Sequence, residues 1–252
     1  MDHITIPPKI HYIWFGGNPK GELMLRCIDS WRRFFPGYEI VEWNETNYDI
    51  NKCDYIREAY AAKKWAFASD YARFDIVNNH GGIYLDTDVE FLKPLPEEML
   101  QHMAFTGYES TGNVSPGLIY AAVPGFRITQ EILAKYESMH CVPGEKMQFV
   151  TVNMVSTEIL EQHTKLHKDE YQVVDHLALY PSTFFCGYDL DVGEYDIRPE
   201  TICVHHYAGT WTKKTWKNHL QAFVKKAFGI SVYRKLIALK RRCFGISADY
   251  LK

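Results

Sequence analysis

An α/β domain with a largely parallel sheet covered by helices is the fold class this sequence predicts. Three observations carry it. Apolar runs rich in β-branched and aromatic residues alternate with segments of helical period, Gly and Pro punctuate the boundaries, and the first units run strand, helix, strand. Lys9 to Phe15 reads as the first strand, ending at Gly16-Gly17, and a helix from about Glu22 to Phe35 follows, stopped by Pro36-Gly37. Tyr38 to Trp43 is the second strand. One long helical region is expected from about Tyr55 to Asn79, closed by Gly81-Gly82 and opening into the short apolar strand Ile83 to Leu85. Strand and helix signals then alternate through Leu118 to Ala122, Phe126 to Ser138, Gln148 to Gln162 and Thr201 to His205.

The chain has 252 residues, 46% of them hydrophobic and 23% charged, which supports a sizeable core and excludes disordered or fibrous classes. No apolar run approaches the ~18 residues of a membrane-spanning helix, and the opening MDHITIPPK lacks the apolar stretch of a secretory signal. A cytoplasmic setting is expected. Six scattered cysteines without a CxxC pair indicate reduced, structural thiols.

The net charge of −3 conceals two unlike parts. Residues 213–252 hold eleven lysines and arginines against the single acid Asp249, a net +10, which leaves −13 on the remainder. Apolar residues recur there at three-to-four spacing from Leu220 to Ile237, as in amphipathic helices. Such a segment meets an anionic membrane surface, which would make the protein peripheral at the inner face of the plasma membrane, or it packs its stripe on the body. The expected organisation is therefore one domain over residues 1–212 and a basic helical extension over 213–252.

Asp86-Thr87-Asp88 follows the strand Ile83 to Leu85 directly. Ligands of open α/β sheets sit beyond the carboxyl ends of the strands, and two carboxylates one residue apart can share a hard divalent cation such as Mg²⁺ or Mn²⁺. Upstream, Asp70 and Arg73 lie three apart on one helical face aimed at the Gly-Gly turn. An intrahelical ion pair explains that spacing equally well.

The run Ala68-Ser69-Asp70-Tyr71-Ala72-Arg73 through Gly81-Gly82-Ile83-Tyr84-Leu85-Asp86-Thr87-Asp88 resembles the DXD-containing region of glycosyltransferase family 32 and is similar to the glucosyltransferase domains of large clostridial toxins. Pro8 to Gly17 resembles their first strand, and Ile202 to Trp211 resembles the His-His-x-x-x-Ser-Trp ending of the family. The three blocks stand in the family's order across residues 8 to 211.

The resemblance implies a GT-A type, Rossmann-like domain that binds a nucleotide-sugar donor and Mn²⁺ or Mg²⁺, and transfers a hexose to a glycan or lipid-linked glycan in surface polysaccharide biosynthesis, with retention at the anomeric carbon. It implies that Asp86 and Asp88 hold the metal, with His206 as third contact and His205 its alternative. Asp70 and Arg73 would hold the donor sugar, Tyr84, Ser69 and Thr87 would complete the donor site, Trp14 would stack on the nucleobase, and Trp211 would close over the diphosphate. The chain departs from the family at Ser115-Pro116-Gly117-Leu118-Ile119, where many members have Asn.

Glu90 and Glu109 are candidates for acceptor-side carboxylates, with ordinary solvated positions the favoured reading of both, and His102, His140 and His163 are read as histidines without ligand-like partners. Two other classes remain to be weighed. A haloacid-dehalogenase-like phosphatase also uses Asp-x-Asp after a strand, but near the chain start. A non-catalytic nucleotide- or membrane-binding module would not require Asp70, Arg73, Asp86, Asp88 and His206 together. No nucleic-acid motif accompanies the basic tail.

Overall fold

A computed structural model describes residues 5–141 and 150–208 and single positions between 225 and 239. Its centre is a seven-stranded sheet. The first strands are β1 (Lys9–Ile13), β2 (Glu39–Trp43) and β3 (Gly82–Tyr84); the others are β5 (Ala104–Gly107), β6 (Tyr120–Ala122), β7 (Gln172–Val174) and β8 (Leu177–Tyr180), in the order β2-β1-β3-β6-β5-β8-β7. β1 runs parallel to β2 and β3, and β5 to β8, while β6 and β7 pair antiparallel with their neighbours. Five of the seven strands thus share one direction, the mostly parallel sheet expected of this class.

Helix α1 (Glu22–Phe34) buries Met24, Cys27, Ile28 and Trp31, the one-stripe pattern of an amphipathic helix. From that stripe Trp31 donates Nε1–H to Val89 O at 2.8 Å, and Ser30 Oγ accepts from Phe91 N at 2.9 Å. Both bonds fix β4 (Val89–Phe91), the strand that leaves the Asp-x-Asp turn.

The single long helix expected from 55 to 79 is instead two, α2 (Asp54–Ala61) and α3 (Trp65–His80). Lys63 N–H bonds Tyr60 O, Lys64 N–H bonds Ala59 O, and Lys63 takes φ +56. This pattern is a Schellman stop with lysine where glycine usually sits, so no glycine announces it in the sequence.

α3 packs on β1 and β3 and is buried along most of its length, with Asp70, Arg73 and Asp75 among Ala68, Ala72 and Phe74. Gly82 after it must be glycine: its φ is +103, and a Cβ there would come within 2.8 Å of Lys9 O. The remaining helices are α4 (Arg127–Glu137), α5 (Val152–His163) and the short α6 (Ser182–Phe185). A hairpin of β9 (Tyr188–Asp189) and β10 (Glu194–Tyr195) precedes β11 (Cys203–His205), which pairs antiparallel with β4. The expected strand at 201–205 therefore joins a separate two-stranded ribbon.

His11, 1% exposed in β1, places its ring between the sheet and the Gly81 turn. Its Nε2 is 2.8 Å from Gly81 O, and Nδ1 accepts from Trp43 Nε1 at 3.1 Å, which defines the neutral Nε2–H tautomer. Burial pushes its pKa down to about 4, against the opposing bond to Gly81. The unfolded state then binds the extra proton, so stability is lost as pH falls from about 6.5 to about 4, by about 3 kcal/mol in all. Urea midpoints measured across that window should fall in the wild type, and the slope should flatten in His11→Gln.

Candidate functional site

Because β1, β3 and β5 run the same way, their carboxyl ends deliver the Gly16-Gly17 loop, Asp86 and Glu109 to one edge of the sheet. At this edge the backbone bonds Val89 N–H to Asp86 O at 3.1 Å and Asp86 N–H to Gly117 O at 3.1 Å. These bonds fold Asp86-Thr87-Asp88 into a tight turn with both carboxylates half-buried and Thr87 at its tip.

Below the turn, α3 supplies Arg73, 3% exposed. Its Nη2 donates to Asp70 Oδ1 at 2.7 Å, its Nη1 lies 3.3 Å from Asp86 Oδ1, and its guanidinium sits 4.8 Å over the Tyr84 ring. Ser69 Oγ accepts from Nη2 at 3.3 Å, and Tyr84 donates its hydroxyl to Asp86 Oδ1 at 2.8 Å. Burial opposes the charge of Arg73, but the Asp86 and Asp70 carboxylates and Tyr84 more than offset it and raise its pKa. Ser69, Asp70, Arg73, Tyr84 and Asp86 thus form one connected group, in which Asp70 and Arg73 share the helical face their spacing predicted. The Asp70–Arg73 pair is a buried one, so its energetics differ from those of a surface i,i+3 pair.

Asp88 is held separately. Its Oδ1 lies 2.9 Å from His205 Nε2, and its Oδ2 accepts from Ala208 N–H at 2.9 Å. Burial works to raise its pKa, yet the His205 imidazole and the Ala208 amide bring it down to about 2, so the carboxylate is charged at neutral pH. Strand register explains the neighbour: His205 stands opposite Val89 in the β11–β4 pair, which returns its ring to the residue just before β4.

His206, expected beside the carboxylate pair, is turned the other way. Its Nε2 lies 2.8 Å from Glu90 Oε2 and its Nδ1 2.6 Å from the Tyr195 hydroxyl, and Arg26 Nε donates to the same Glu90 oxygen at 3.1 Å. His206 follows the last residue of β11, and its ring is held on Glu90 and Tyr195 while that of His205 meets Asp88. Trp14 is half-buried against the core and donates Nε1–H to Asn18 O at 2.7 Å. Trp211 lies outside the described residues.

Several other positions differ from the sequence reading. Glu109 is 3% exposed, accepting from Thr111 Oγ1 at 2.5 Å and Asn153 Nδ2 at 2.9 Å, because the turn after β5 folds beneath α5. Glu90 is half-buried in its pairs with His206 and Arg26. His163 bridges Glu131 and Asp175 at 2.6 and 2.7 Å, and His140 Nδ1 lies 2.8 Å from Glu58 Oε1. Cys27, Cys53, Cys141, Cys186 and Cys203 are free thiols, as expected.

Gly117 is a site residue that the sequence did not single out. A Cβ there would stand 2.3 Å from Asp86 Oδ2 and 3.2 Å from Arg73 Nη1, so only glycine lets the chain pass this close to the carboxylate and the guanidinium. Arg73 Nη1 is a buried nitrogen with no hydrogen-bond acceptor among the described residues. The hard anionic oxygens of Asp86 and Asp88 are of the type that fits a divalent cation bound by a diphosphate. Gly117→Ala must displace Asp86: donor turnover should fall about 100-fold, with a stability cost of about 1–3 kcal/mol. Steady-state kinetics and thermal melts of the two proteins check this.

A cavity of about 600 Å³ opens at the carboxyl end of β1, lined by Gly16, Gly17, Tyr60, Lys63 and Trp65 among others. From Trp65 to Asp70 and Arg73, α3 climbs about 8–12 Å.

With this geometry in view, comparison with known proteins is informative. Residues 21–106 match the family described as "Glycosyltransferase sugar-binding region containing DXD motif". Residues 21–106, which hold the Asp70–Arg73 helix and the Asp86-Thr87-Asp88 turn, are thus similar to the sugar-binding region of DXD-containing glycosyltransferases. The chain is similar to "Subversion of eukaryotic traffic protein A" of Legionella pneumophila subsp. pneumophila, 26% identical in an alignment 127 residues long that covers 40% of this chain and 20% of that protein. The chain therefore spans about a fifth of the length of that relative. Among solved structures, "PaToxG Glycosyltransferase" aligns over 63% of this chain and 70% of that one, at 20% identity and a TM-score of 0.49.

Proposed function

We propose that the protein is a retaining hexosyltransferase that moves a hexose from a UDP-sugar to a growing glycan in surface polysaccharide biosynthesis, using Mn²⁺ or Mg²⁺ bound through Asp86 and Asp88. The observation that carries this reading is the convergence at one sheet edge of the Asp86–Arg73–Asp70 group and the Asp88–His205 pair, with Gly117 packed against Asp86.

Asp86 and Asp88 would hold the cation, which would supply countercharge for the departing diphosphate in place of a general acid. The protein's own residues do the rest. Asp86 and Asp88 are pre-aimed, the first by Tyr84 and Arg73, the second by His205 and Ala208 N–H. We assign His205, rather than His206, to the carboxylate pair. Asp70, oriented by Arg73, accepts from donor-sugar hydroxyls, and Arg73 Nη1, which has no acceptor among the described residues, is the donor left for a phosphate or sugar oxygen. The nucleobase lies in the cavity at Gly16 and Gly17 against Trp65 and Tyr60, and the climb along α3 matches the span from base to diphosphate. In the transfer, the bond from C1 to the diphosphate oxygen breaks with its electron pair leaving on the nucleotide. The acceptor hydroxyl bonds to C1 on the same face, and its proton passes to the leaving phosphate oxygen.

Incubation with Mn²⁺ and a panel of UDP- and GDP-sugars, following nucleotide release, tests the reading. Turnover of a UDP-hexose is expected. Turnover of GDP-mannose alone would overturn the donor assignment, and a phosphoaspartate trapped at Asp86 would replace the transferase reading with a phosphatase.

A further inference from the structure

We propose that the C-terminal segment docks on an anionic lipid bilayer through an outward helical face carrying Val232, Lys235 and Leu239. This inference does not depend on the transferase reading.

Positions 230, 232, 233, 235, 237 and 239 are helical. Residues 232, 235 and 239 are spaced three and four apart, so they share one face. That face is open: Val232 is 44% and Leu239 58% exposed, and Lys235 is exposed between them. Tyr233 and Ile237, also four apart, are half-buried and form a second face. The helix thus has one apolar face that is covered and another that is not. Lys225 fastens the segment to the body, donating to Val192 O at 2.7 Å and to Glu194 Oε1 at 2.8 Å.

Scattered exposed apolar residues need no explanation by themselves. Here they fall in a stretch of net +10 attached to a body of net −13. A second copy docked segment to segment would bring another +10 against the first, and a nucleic acid would use the charge but not Val232 and Leu239. An anionic bilayer uses both: its headgroups attract the lysines and arginines, its acyl boundary takes the apolar side chains, and the acidic body is repelled outward. No helix among the described residues is long and apolar enough to cross a membrane, so the contact is interfacial.

The experiment is co-sedimentation of the full chain with phosphatidylcholine vesicles and with mixed phosphatidylcholine–phosphatidylglycerol vesicles across a salt series. The expected result is binding to the mixed vesicles only, falling with salt, and weakened about tenfold in Val232→Asp/Leu239→Asp and in Lys235→Glu. Circular dichroism and nucleotide release should match wild type in both variants. Failure to bind mixed vesicles, equal binding to both vesicle types, or undiminished binding by Val232→Asp/Leu239→Asp overturns the proposal. So does equally tight binding to duplex DNA, or a dimer of the wild type that Val232→Asp/Leu239→Asp dissociates. Because nucleotide release is read separately, loss of vesicle binding and loss of transferase activity are distinguishable.

Discussion

Asp88→Asn is expected to cut donor turnover about a thousandfold while leaving the fold intact. Asn keeps an oxygen for Ala208 N–H, so the turn retains one of its two fixings. The charge is what is lost. Asp88 has a pKa near 2, so at neutral pH the wild type always presents a full negative charge, and Asn presents none. Removing a preorganised group from a site of developing charge costs about 10²–10³ in rate even when that group is a neutral donor. A metal-holding carboxylate should stand at the upper end. Release of nucleotide from the preferred donor measures the loss, and the thermal midpoint should move by no more than a few degrees.

Arg73→Met should be the most destabilising single change in the site. The guanidinium is 3% exposed, pairs with Asp70 and Asp86, and covers the Tyr84 ring. Met fills part of the volume but leaves Asp70 and Asp86 without this buried counter-charge. Breaking a buried pair in this way costs about 3–5 kcal/mol, or about 10 °C in thermal midpoint for a domain of this size. The double variant Arg73→Met/Asp70→Asn should recover part of that loss, since it removes an uncompensated charge together with its partner. If the two single losses simply add, the residues do not act as a pair. Activity should fall in all three variants, because Arg73 also aims Asp86.

Much of this arrangement was legible in the sequence because it is local. β1, α1, β2 and β3 appear within one to three residues of their expected limits, since periodicity and Gly or Pro punctuation act over short distances. Asp70 and Arg73 share a helical face by spacing alone, and Asp86 and Asp88 follow a strand by position alone. What was not legible depends on distant neighbours. The stop at Lys63 uses a residue with no special claim to positive φ, so only the chain's packing reveals it. Glu109 reads as a surface acid until Thr111 and Asn153 are seen to enclose it. Between His205 and His206, the choice rests on the register of β11 against β4, two segments more than a hundred residues apart. Gly117 lies in the segment Ser115-Pro116-Gly117-Leu118-Ile119, where the chain lacks the Asn of many family members, but its meaning lies in Asp86 and Arg73 across the sheet edge.

The central claim is that Asp86 and Asp88 form a metal-dependent nucleotide site. Isothermal titration of UDP into the protein, with and without Mn²⁺, tests it most directly when wild type and Asp88→Asn are compared. The account predicts that UDP binds the wild type tightly only when Mn²⁺ is present and that Asp88→Asn loses this metal-dependent gain. UDP binding of equal strength without metal, or unchanged in Asp88→Asn, would contradict it.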